Sequence, residues 1–176
     1  MGEDATLRAF PTATIVRPGL LVGPEDTFFN RFSTLPAVPL IGGGKTRFQP
    51  VFVSDVADAI AAIVADDTTA GLAYDIVGPE IYSFRALMDL MQSVTGSRAP
   101  LVHLPWGVAE LIALASSLAP MAPPITLDQI KRLRTDNIAD DSLPGLAALG
   151  IEPTPIEAVL PSYLGRFRNG GQYAQV

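Results

Sequence analysis

Cysteine is absent from the 176 residues of this chain, and histidine occurs once, at His103. The missing thiols exclude disulfides, thiolate metal sites and a cysteine nucleophile, and a single imidazole excludes a metal site built from several histidines. Positive charge is also scarce, because 12 lysines and arginines accompany 18 acidic residues, for a net charge of -6. Proteins that bind the nucleic-acid backbone need clustered cations. We therefore expect neither a metal nor a nucleic acid as a ligand.

The sequence also lacks the features of an exported or membrane-spanning protein. Glu3, Asp4 and Arg8 occupy the region where a secretory signal needs a cationic start and an apolar run. The most apolar stretch, residues 111–125, is shorter than the roughly 20 residues that a span needs, and prolines interrupt it. We interpret it as a buried helix and a proline-rich loop. The expected location is the cytoplasm, with at most peripheral contact to the inner face of a membrane.

Strand and helix patterns alternate along the first hundred residues, which is typical of an α/β fold. The length favours one domain, or part of one. Runs rich in β-branched residues predict strands at residues 12–17, 38–41, 47–53, 74–77 and 101–104, the first of them buried. Apolar periodicity predicts helices at residues 3–10, 28–32, 55–64, 84–95, 105–118, 126–134, 143–149 and 156–167. Residues 19–26 are expected to form a loop.

Two of these helices have the clearest end signals. Ser54 is predicted to be the N-cap of the helix at residues 55–64. Ser83 is predicted to be the N-cap of the helix at residues 84–95, which should end at Gly96. A capping box is also predicted at residues 126–129. The residues expected on the buried face of the helix at 55–64 are Val56, Ala59, Ile60, Ile63 and Val64. Those expected on the buried face of the helix at 84–95 are Phe84, Leu87, Met88, Met91 and Val94.

The segment Gly42-Gly43-Gly44-Lys45-Thr46 superficially matches a phosphate loop. The Walker pattern needs another glycine five residues before the one that precedes the lysine, and this chain has Pro39 there. The segment also lies between two predicted strands and not between a strand and a helix. We therefore interpret it as the flexible turn of a hairpin or strand pair formed by residues 38–41 and 47–53.

Few side chains fall into a catalytic pattern. His103 has no identifiable serine or aspartate partner and is interpreted as structural. The acidic pairs at residues 66–67 and 140–141 lie beside turns and are expected to be solvated. Arg17 ends a strand of the parallel type, at the edge where ligands bind in open α/β sheets. It either contacts a phosphate or carboxylate of a ligand, or forms a salt bridge with Glu25, Asp26 or Asp55.

Three segments, residues 13–18, 48–59 and 74–80, follow one another in this order along the chain. Together they resemble the C-terminal half of the extended and atypical short-chain dehydrogenase/reductases, in the NAD-dependent epimerase/dehydratase superfamily. Residues 25–32 and 49–58 are most similar to the branch that contains the NAD(P)H-binding accessory subunit of respiratory complex I and its bacterial relatives.

The resemblance implies the C-terminal portion of a Rossmann-like α/β fold, with few parallel strands and a helical lobe, and with the N-terminal nucleotide-binding half absent. Residues 1–176 would form a single partial domain. Residues 1–80 would hold the remaining Rossmann-side elements, and residues 81–176 a mainly helical substrate or partner lobe.

The resemblance also implies positions for ligands. The residues expected to pass the nicotinamide end of NAD or NADP are Arg17, Pro18, Gly19, Leu20, Leu21 and Val22. The residues expected to face a substrate or partner are Phe28, Asn30, Arg31 and Gln49. The family's Gly-x-x-Gly-x-x-Gly loop and Tyr-x-x-x-Lys pair do not occur in this sequence. We therefore assign no catalytic residue and expect the chain alone to be inactive and to bind no cofactor, whereas the full-length parent would bind NAD or NADP.

Three functions remain open from the sequence. The first is a non-catalytic accessory subunit related to NADH:ubiquinone oxidoreductase, whose partners are respiratory-complex subunits or a second copy of itself. The second is the substrate-specificity half of a nucleotide-sugar epimerase, dehydratase or reductase, with Arg17, residues 28–32 and Gln49 selecting the substrate. The third is an interaction module without a cofactor. A strand at residues 14–16 without neighbours would expose an apolar edge, so we expect such a fragment to associate or aggregate.

Overall fold

The computed structural model describes residues 2–117, 127–140 and 142–168. Within these residues, short strands pair two by two and are connected by α-helices and single 3-10 turns. The strands are β1 (Ile15–Pro18), β2 (Leu20–Val22), β3 (Val38–Ile41), β4 (Arg47–Phe48), β5 (Pro50–Phe52), β6 (Ala73–Ile76), β7 (Tyr82–Ser83) and β8 (Leu101–Leu104). The α-helices are α1 (Gly2–Ala9), α2 (Thr27–Phe32), α3 (Val53–Ala65), α4 (Phe84–Thr95), α5 (Trp106–Ser117), α6 (Leu127–Arg132) and α7 (Ile156–Leu164). The 3-10 turns are Gly42–Gly44, Asp67–Thr69, Leu146–Leu149 and Gly165–Phe167.

Parallel pairing dominates among the described strands. β1 pairs with β6, β2 with β5 and β3 with β8 in parallel, whereas β4 and β7 are antiparallel. The predicted α/β fold with a few parallel strands is therefore confirmed. The predicted hairpin between residues 38–41 and 47–53 is wrong, because these segments pair with different partners. Positive φ angles at Gly42, Gly43 and Gly44 (59°, 77° and 69°) turn the chain away from β3 instead.

The chain from β1 to β2 differs from its prediction in two ways. β1 is not buried, since Ile15 and Val16 are half-buried and its last two residues are exposed. Residues 20–22, which were expected in a loop, form β2 beside β5. Gly19 makes this continuation possible: a Cβ there would lie 2.4 Å from the carbonyl oxygen of Gln49, so only glycine lets the two backbones approach this closely.

α3 begins two residues earlier than predicted. Phe52 holds the N-cap position in an extended conformation and offers no side-chain cap, so Ser54 lies in the first turn and the prediction of Ser54 as the cap is wrong. Phe52 is extended because it pairs with β2 as the last residue of β5. The buried stripe is also narrower than predicted, since Ile60 and Val64 are 47% and 80% exposed.

α4 matches its prediction at both ends and along its buried face. The Ser83 hydroxyl oxygen accepts from the Ala86 amide at 3.1 Å, and Gly96 ends the helix with a φ of 69°. The buried residues of α4 are Phe84, Leu87, Met88, Met91, Val94 and Thr95. Strong end signals and a clean apolar stripe therefore predicted this element in full.

The C-terminal part is mainly helical, as predicted. Leu118 and Thr126, the predicted end of α5 and the predicted cap of α6, lie outside the described residues. The helix predicted at residues 143–149 is a single 3-10 turn, which Gly150 ends with a φ of 72°. The helix predicted at residues 156–167 is α7 followed by another 3-10 turn.

Apolar side chains form three clusters. The largest joins α4 and α7 with Val22, Phe29 and Phe48. A second lies beneath α3 and includes Ile76, and the smallest joins β3 to α5 and α6 through Ile41 and Ile130. The largest cluster contains residues from both sides of position 80, the predicted border between the Rossmann side and the helical lobe. That division stays a prediction.

Candidate functional site

The carboxyl end of β1 and the chain that follows it form the candidate ligand-facing edge, residues 17–22. Because β1 and β6 are parallel, their carboxyl ends lie at one edge, where ligands bind in open α/β sheets. Of the six residues predicted to pass a nicotinamide, Arg17, Pro18 and Leu21 are exposed, Gly19 and Leu20 are half-buried, and Val22 is buried. The side chains of Pro18 and Leu21 are thus accessible from solvent, and their contact with the nicotinamide end of a dinucleotide stays a prediction. The Gly-x-x-Gly-x-x-Gly loop that would hold its pyrophosphate does not occur in this sequence.

Arg17 forms a two-point ion pair with Glu3 of α1. Arg17 Nε donates to Glu3 Oε1 at 2.9 Å, and Nη2 donates to Oε2 at 2.5 Å. This hydrogen bonding lowers the pKa of Glu3 and raises the pKa of Arg17, to which Asp75 and Asp140 add a coulombic attraction. The predicted salt bridge of Arg17 with Glu25, Asp26 or Asp55 is wrong, because the side chain lies against α1. Its contact with a ligand stays a prediction.

Phe28 lies in an aromatic cluster formed by α2 and its neighbours. Its ring is edge-on to Phe29, Phe32 and Phe84, with centroid distances of 5.1, 5.2 and 5.8 Å. The residue is half-buried. Most of its surface therefore packs against the protein, and a contact with a substrate or partner stays a prediction.

Asn30 and Arg31 follow on α2. Asn30 Nδ2 donates to the carbonyl oxygens of Pro24 (3.1 Å) and Asp26 (2.6 Å), and its Oδ1 accepts from Arg166 at 2.8 Å. The polar atoms of Asn30 thus bind the preceding loop. Arg31 is exposed. The predicted role of both residues toward a substrate or partner stays a prediction.

Gln49 connects three segments of the fold. Its Nε2 donates to the carbonyl oxygen of Gly78 at 2.9 Å, and its Oε1 accepts from the Ala139 amide at 3.1 Å. The backbone amide of Gln49 donates to the carbonyl oxygen of Asn137 at 2.8 Å. Both ends of the side chain therefore hold the backbone around β5 and β6. Its contact with a substrate stays a prediction.

Two carboxylate contacts were missed from the sequence, one made by the half-buried Asp26 and one by the buried Asp55. Asp26 caps α2 by accepting from the Phe29 amide at 2.6 Å, and it also accepts from the hydroxyl of Tyr163 on α7. Asp55 accepts from the amide and hydroxyl of Thr154 at 2.7 and 2.9 Å. An aspartate just before an apolar helix is a recognisable N-cap pattern. Tyr163 and Thr154 lie 137 and 99 residues from their aspartates, so no local sequence pattern predicts these contacts.

A concave surface with a volume of about 480 Å3, which we name the cationic groove, lies beside the turn after β3. It is lined by Gly43, Gly44, Lys45, Arg47, Ile81, Ser83 and Arg85. Arg47 Nε lies 2.8 Å from Asp136 Oδ2, and Arg85 Nε lies 3.9 Å from Asp89 Oδ2. The turn after β3 thus borders three cationic side chains although its sequence is not a phosphate loop.

The remaining predicted features lie at the surface. His103 is exposed on β8. Asp66 and Asp140 are exposed and accept hydrogen bonds from Thr68 and Ser142, which lowers the pKa of each carboxyl. In the described ranges, no three histidine or carboxylate side chains are arranged to hold a metal ion. Among the helices of those same ranges, none is both long and apolar enough to cross a membrane.

Comparison with curated proteins finds relatives along almost the whole chain. The mitochondrial NADH dehydrogenase (ubiquinone) 1 alpha subcomplex subunit 9 of Arabidopsis thaliana is 34% identical over 182 residues, which cover 96% of this chain and 45% of the relative. The Mus musculus subunit of the same name is 34% identical, with coverage of 96% and 46%. The NADH-ubiquinone oxidoreductase 40 kDa subunit of Neurospora crassa is 28% identical, with coverage of 98% and 46%. No family model matches the chain.

Solved structures agree in fold. A UDP-glucose 4-epimerase from Thermotoga maritima, solved with UDP-glucose, superposes with a TM-score of 0.63 at 18% identity, over 93% of this chain and 48% of the epimerase. The chain belongs to the family of the mitochondrial NADH dehydrogenase (ubiquinone) 1 alpha subcomplex subunit 9. A dTDP-glucose 4,6-dehydratase of the same fold from Streptomyces venezuelae, solved with NAD, superposes with a TM-score of 0.59 at 17% identity, over 91% of this chain and 45% of the dehydratase.

The chain spans about half the length of the curated relatives it matches. Full-length members of this fold are solved with NAD bound, as the dehydratase is. A contact between such a cofactor and residues 17–22 of this chain stays a prediction.

Proposed function

We propose that the full-length protein containing this chain is a non-catalytic, NAD(P)-binding accessory subunit of an NADH:ubiquinone oxidoreductase. The observation that supports this most is the 34% identity, along 96% of the chain, to a subunit that bears the name of that enzyme.

The cofactor part of the proposal concerns the ligand-facing edge. NAD or NADP would place its nicotinamide end against Pro18 and Leu21, whose exposed apolar surfaces suit a ring. A pyrophosphate seat would come from outside this chain's sequence. The fold is shared with a dehydratase that is solved with NAD, which supports dinucleotide binding by the parent.

The partner part of the proposal concerns α5. This helix exposes Val108, Leu111 and Ile112 (45%, 66% and 41%), and Leu127 of α6 borders the same surface. An apolar groove of about 370 Å3 lies between the two helices. Large exposed apolar patches mark contact surfaces, so we assign this surface to a protein subunit, with any membrane contact peripheral.

Affinity purification of the tagged full-length protein from its own cells, in mild detergent, tests the partner. We expect subunits of NADH:ubiquinone oxidoreductase and NADH oxidation in the eluate. Leu111→Asp should lose the complex, whereas Ile60→Asp, a matched change on the exposed face of α3, should keep it. A wild-type eluate without any subunit of that enzyme would contradict the proposal.

Fluorescence titration of the purified full-length protein with NADH and NADPH tests the cofactor. We expect saturable binding of one of them without turnover. Absence of binding to both would leave the interaction module without a cofactor as the better description.

The cationic groove favours a second candidate, an enzyme acting on a nucleotide sugar. Lys45, Arg47 and Arg85 offer donors that suit a pyrophosphate, and the Thermotoga epimerase of this fold is solved with UDP-glucose. This candidate requires a Tyr-x-x-x-Lys pair upstream of the chain. Turnover of UDP-glucose by the full-length protein, weakened by the double change Lys45→Gln and Arg85→Gln, would favour it over the accessory subunit.

A further inference from the structure

α7 and the turn after it hold the loop that joins β2 to α2, residues 23–26. The Tyr163 hydroxyl donates to Asp26 Oδ2. Arg166 Nη2 donates to the carbonyl oxygen of Pro24 at 3.2 Å and to Asn30 Oδ1 at 2.8 Å. A C-terminal helix therefore fixes a loop 137 residues earlier in the chain.

Asp26 is the centre of this arrangement. Its carboxylate accepts from the Phe29 amide at 2.6 Å and from the Gly23 amide at 3.5 Å, in addition to Tyr163. Tyr163 is 7% exposed. Burial and the neighbouring carboxylate raise the pKa of Tyr163, so its hydroxyl remains a donor. A hydrogen bond from a buried hydroxyl to a carboxylate is stronger than one between two neutral groups, so it holds the loop firmly.

This loop continues directly from the ligand-facing edge. Gly23 follows Val22, the last residue of β2, and a Cβ on Gly23 would lie 2.7 Å from Val53 Cγ1 at the start of α3. The loop thus has little space between α3 on one side and α7 on the other. A shift of Asp26 is passed to β2 through only three intervening residues, and β2 carries the exposed Leu21.

We propose that Tyr163 and Arg166 are positioning residues for the dinucleotide. They hold residues 18–22 in the arrangement that faces the nicotinamide end, although neither side chain belongs to that edge. The inference rests on the proposed function, because it requires that the full-length protein binds NADH or NADPH.

The test compares two tyrosine variants of the full-length protein. Tyr163→Phe removes only the hydroxyl that Asp26 accepts from. Tyr82→Phe is the matched control, because the Tyr82 hydroxyl also donates to a carboxylate of α7, that of Glu157, which lies in its first turn away from the loop. The measurements are the Kd for the reduced cofactor, by fluorescence, and amide exchange at Gly23 and Phe29.

We expect Tyr163→Phe to weaken cofactor binding about five- to tenfold and to accelerate exchange at both amides, since a bond to a charged group is lost. Tyr82→Phe should change the Kd by less than about twofold. Arg166 is exposed, so Arg166→Gln gives the same test with little risk to folding and should weaken binding in the same direction.

The possible results distinguish the positioning role of Tyr163 and Arg166 from the proposed binding of a cofactor. If the wild type binds cofactor and neither Tyr163→Phe nor Arg166→Gln weakens binding more than the control does, the positioning role is overturned and the proposed function stands. If the wild type binds neither NADH nor NADPH, the proposed cofactor function fails, and the positioning role falls with it.

Discussion

α4 and α5 have the same length of 12 residues and use their apolar side chains in opposite ways. α4 buries its large residues, including Leu87 and Met91, and exposes its charged ones. α5 buries Ala109 and Ala113 and leaves Leu111 66% exposed. The difference follows from their surroundings, because α4 lies against α7 within the largest cluster, whereas α5 belongs to the smallest. Burial depends on the layers that the fold provides and not on the apolar content of a helix alone.

A matched pair of leucine truncations should show the largest effect. Leu87→Ala empties a fully buried position and should lower the free energy of unfolding by about 2–5 kcal/mol. Leu111→Ala removes an exposed side chain and should change it by less than about 0.5 kcal/mol. Urea unfolding of both variants measures the difference. Equal losses would show that α5 is packed as firmly as α4.

The same contrast explains which elements the sequence could predict. α4 carries polar residues between its apolar ones, a serine cap and a glycine stop, so its length, cap and buried face were all correct. α5 has a single charged residue, Glu110, and no polar face that would mark its exposed side, so its exposed apolar residues were expected to be buried. The failed hairpin at residues 38–53 has a similar cause. β3 pairs with β8, some 60 residues later, and short strands carry no local pattern for such a partner.

The ligand-facing edge was predicted from family resemblance and fold topology, and its exposure at Arg17, Pro18 and Leu21 agrees with a surface role. The contacts that hold it were not predictable. Tyr163 reaches Asp26 because the C-terminal helix returns to the start of the fold, and this depends on tertiary packing across the whole chain. Likewise, Arg17 meets Glu3 and none of the three acids considered for it.

Removing a buried acid of α3 and an exposed acid of α5 should have the next largest effect. Asp55→Ala removes a buried carboxylate and leaves the half-buried Thr154 amide without its acceptor, so it should lower the free energy of unfolding by about 2 kcal/mol. Glu110→Ala breaks an exposed ion pair between α5 and Arg134 and should cost less than about 1 kcal/mol. Thermal unfolding of both variants in 0.15 M and 0.5 M salt measures this. A salt-sensitive loss in Asp55→Ala would argue against a buried contact.

Two glycine-to-alanine changes should shift stability in opposite directions. Gly96 ends α4 with a φ of 69°, which alanine adopts only with strain, so Gly96→Ala should cost about 1 kcal/mol. Gly107 lies inside α5 with open space where its Cβ would be, so Gly107→Ala should add about 0.5–1 kcal/mol. Chemical denaturation of the two variants measures the signs. A destabilising Gly107→Ala would contradict the open space that the structure shows beside Gly107.

The smallest effect concerns the fully solvated contact between Arg17 and Glu3. The hydrogen bond from Arg17 lowers the pKa of Glu3 below its ordinary value of 4.5. A carboxyl whose folded pKa is depressed contributes stability above its unfolded pKa and loses that contribution as the pH falls through the folded value. The loss therefore lies below about pH 4.5.

The variant Arg17→Gln tests this contact. NMR titration of its Glu3 carboxyl should give a pKa closer to the ordinary value. The free energy of unfolding at neutral pH should hardly change, because water and salt screen exposed charges. An unchanged pKa would mean that α1 does not meet β1 through this pair in solution. A large change in neutral stability would instead place the pair among the buried contacts, with Asp55.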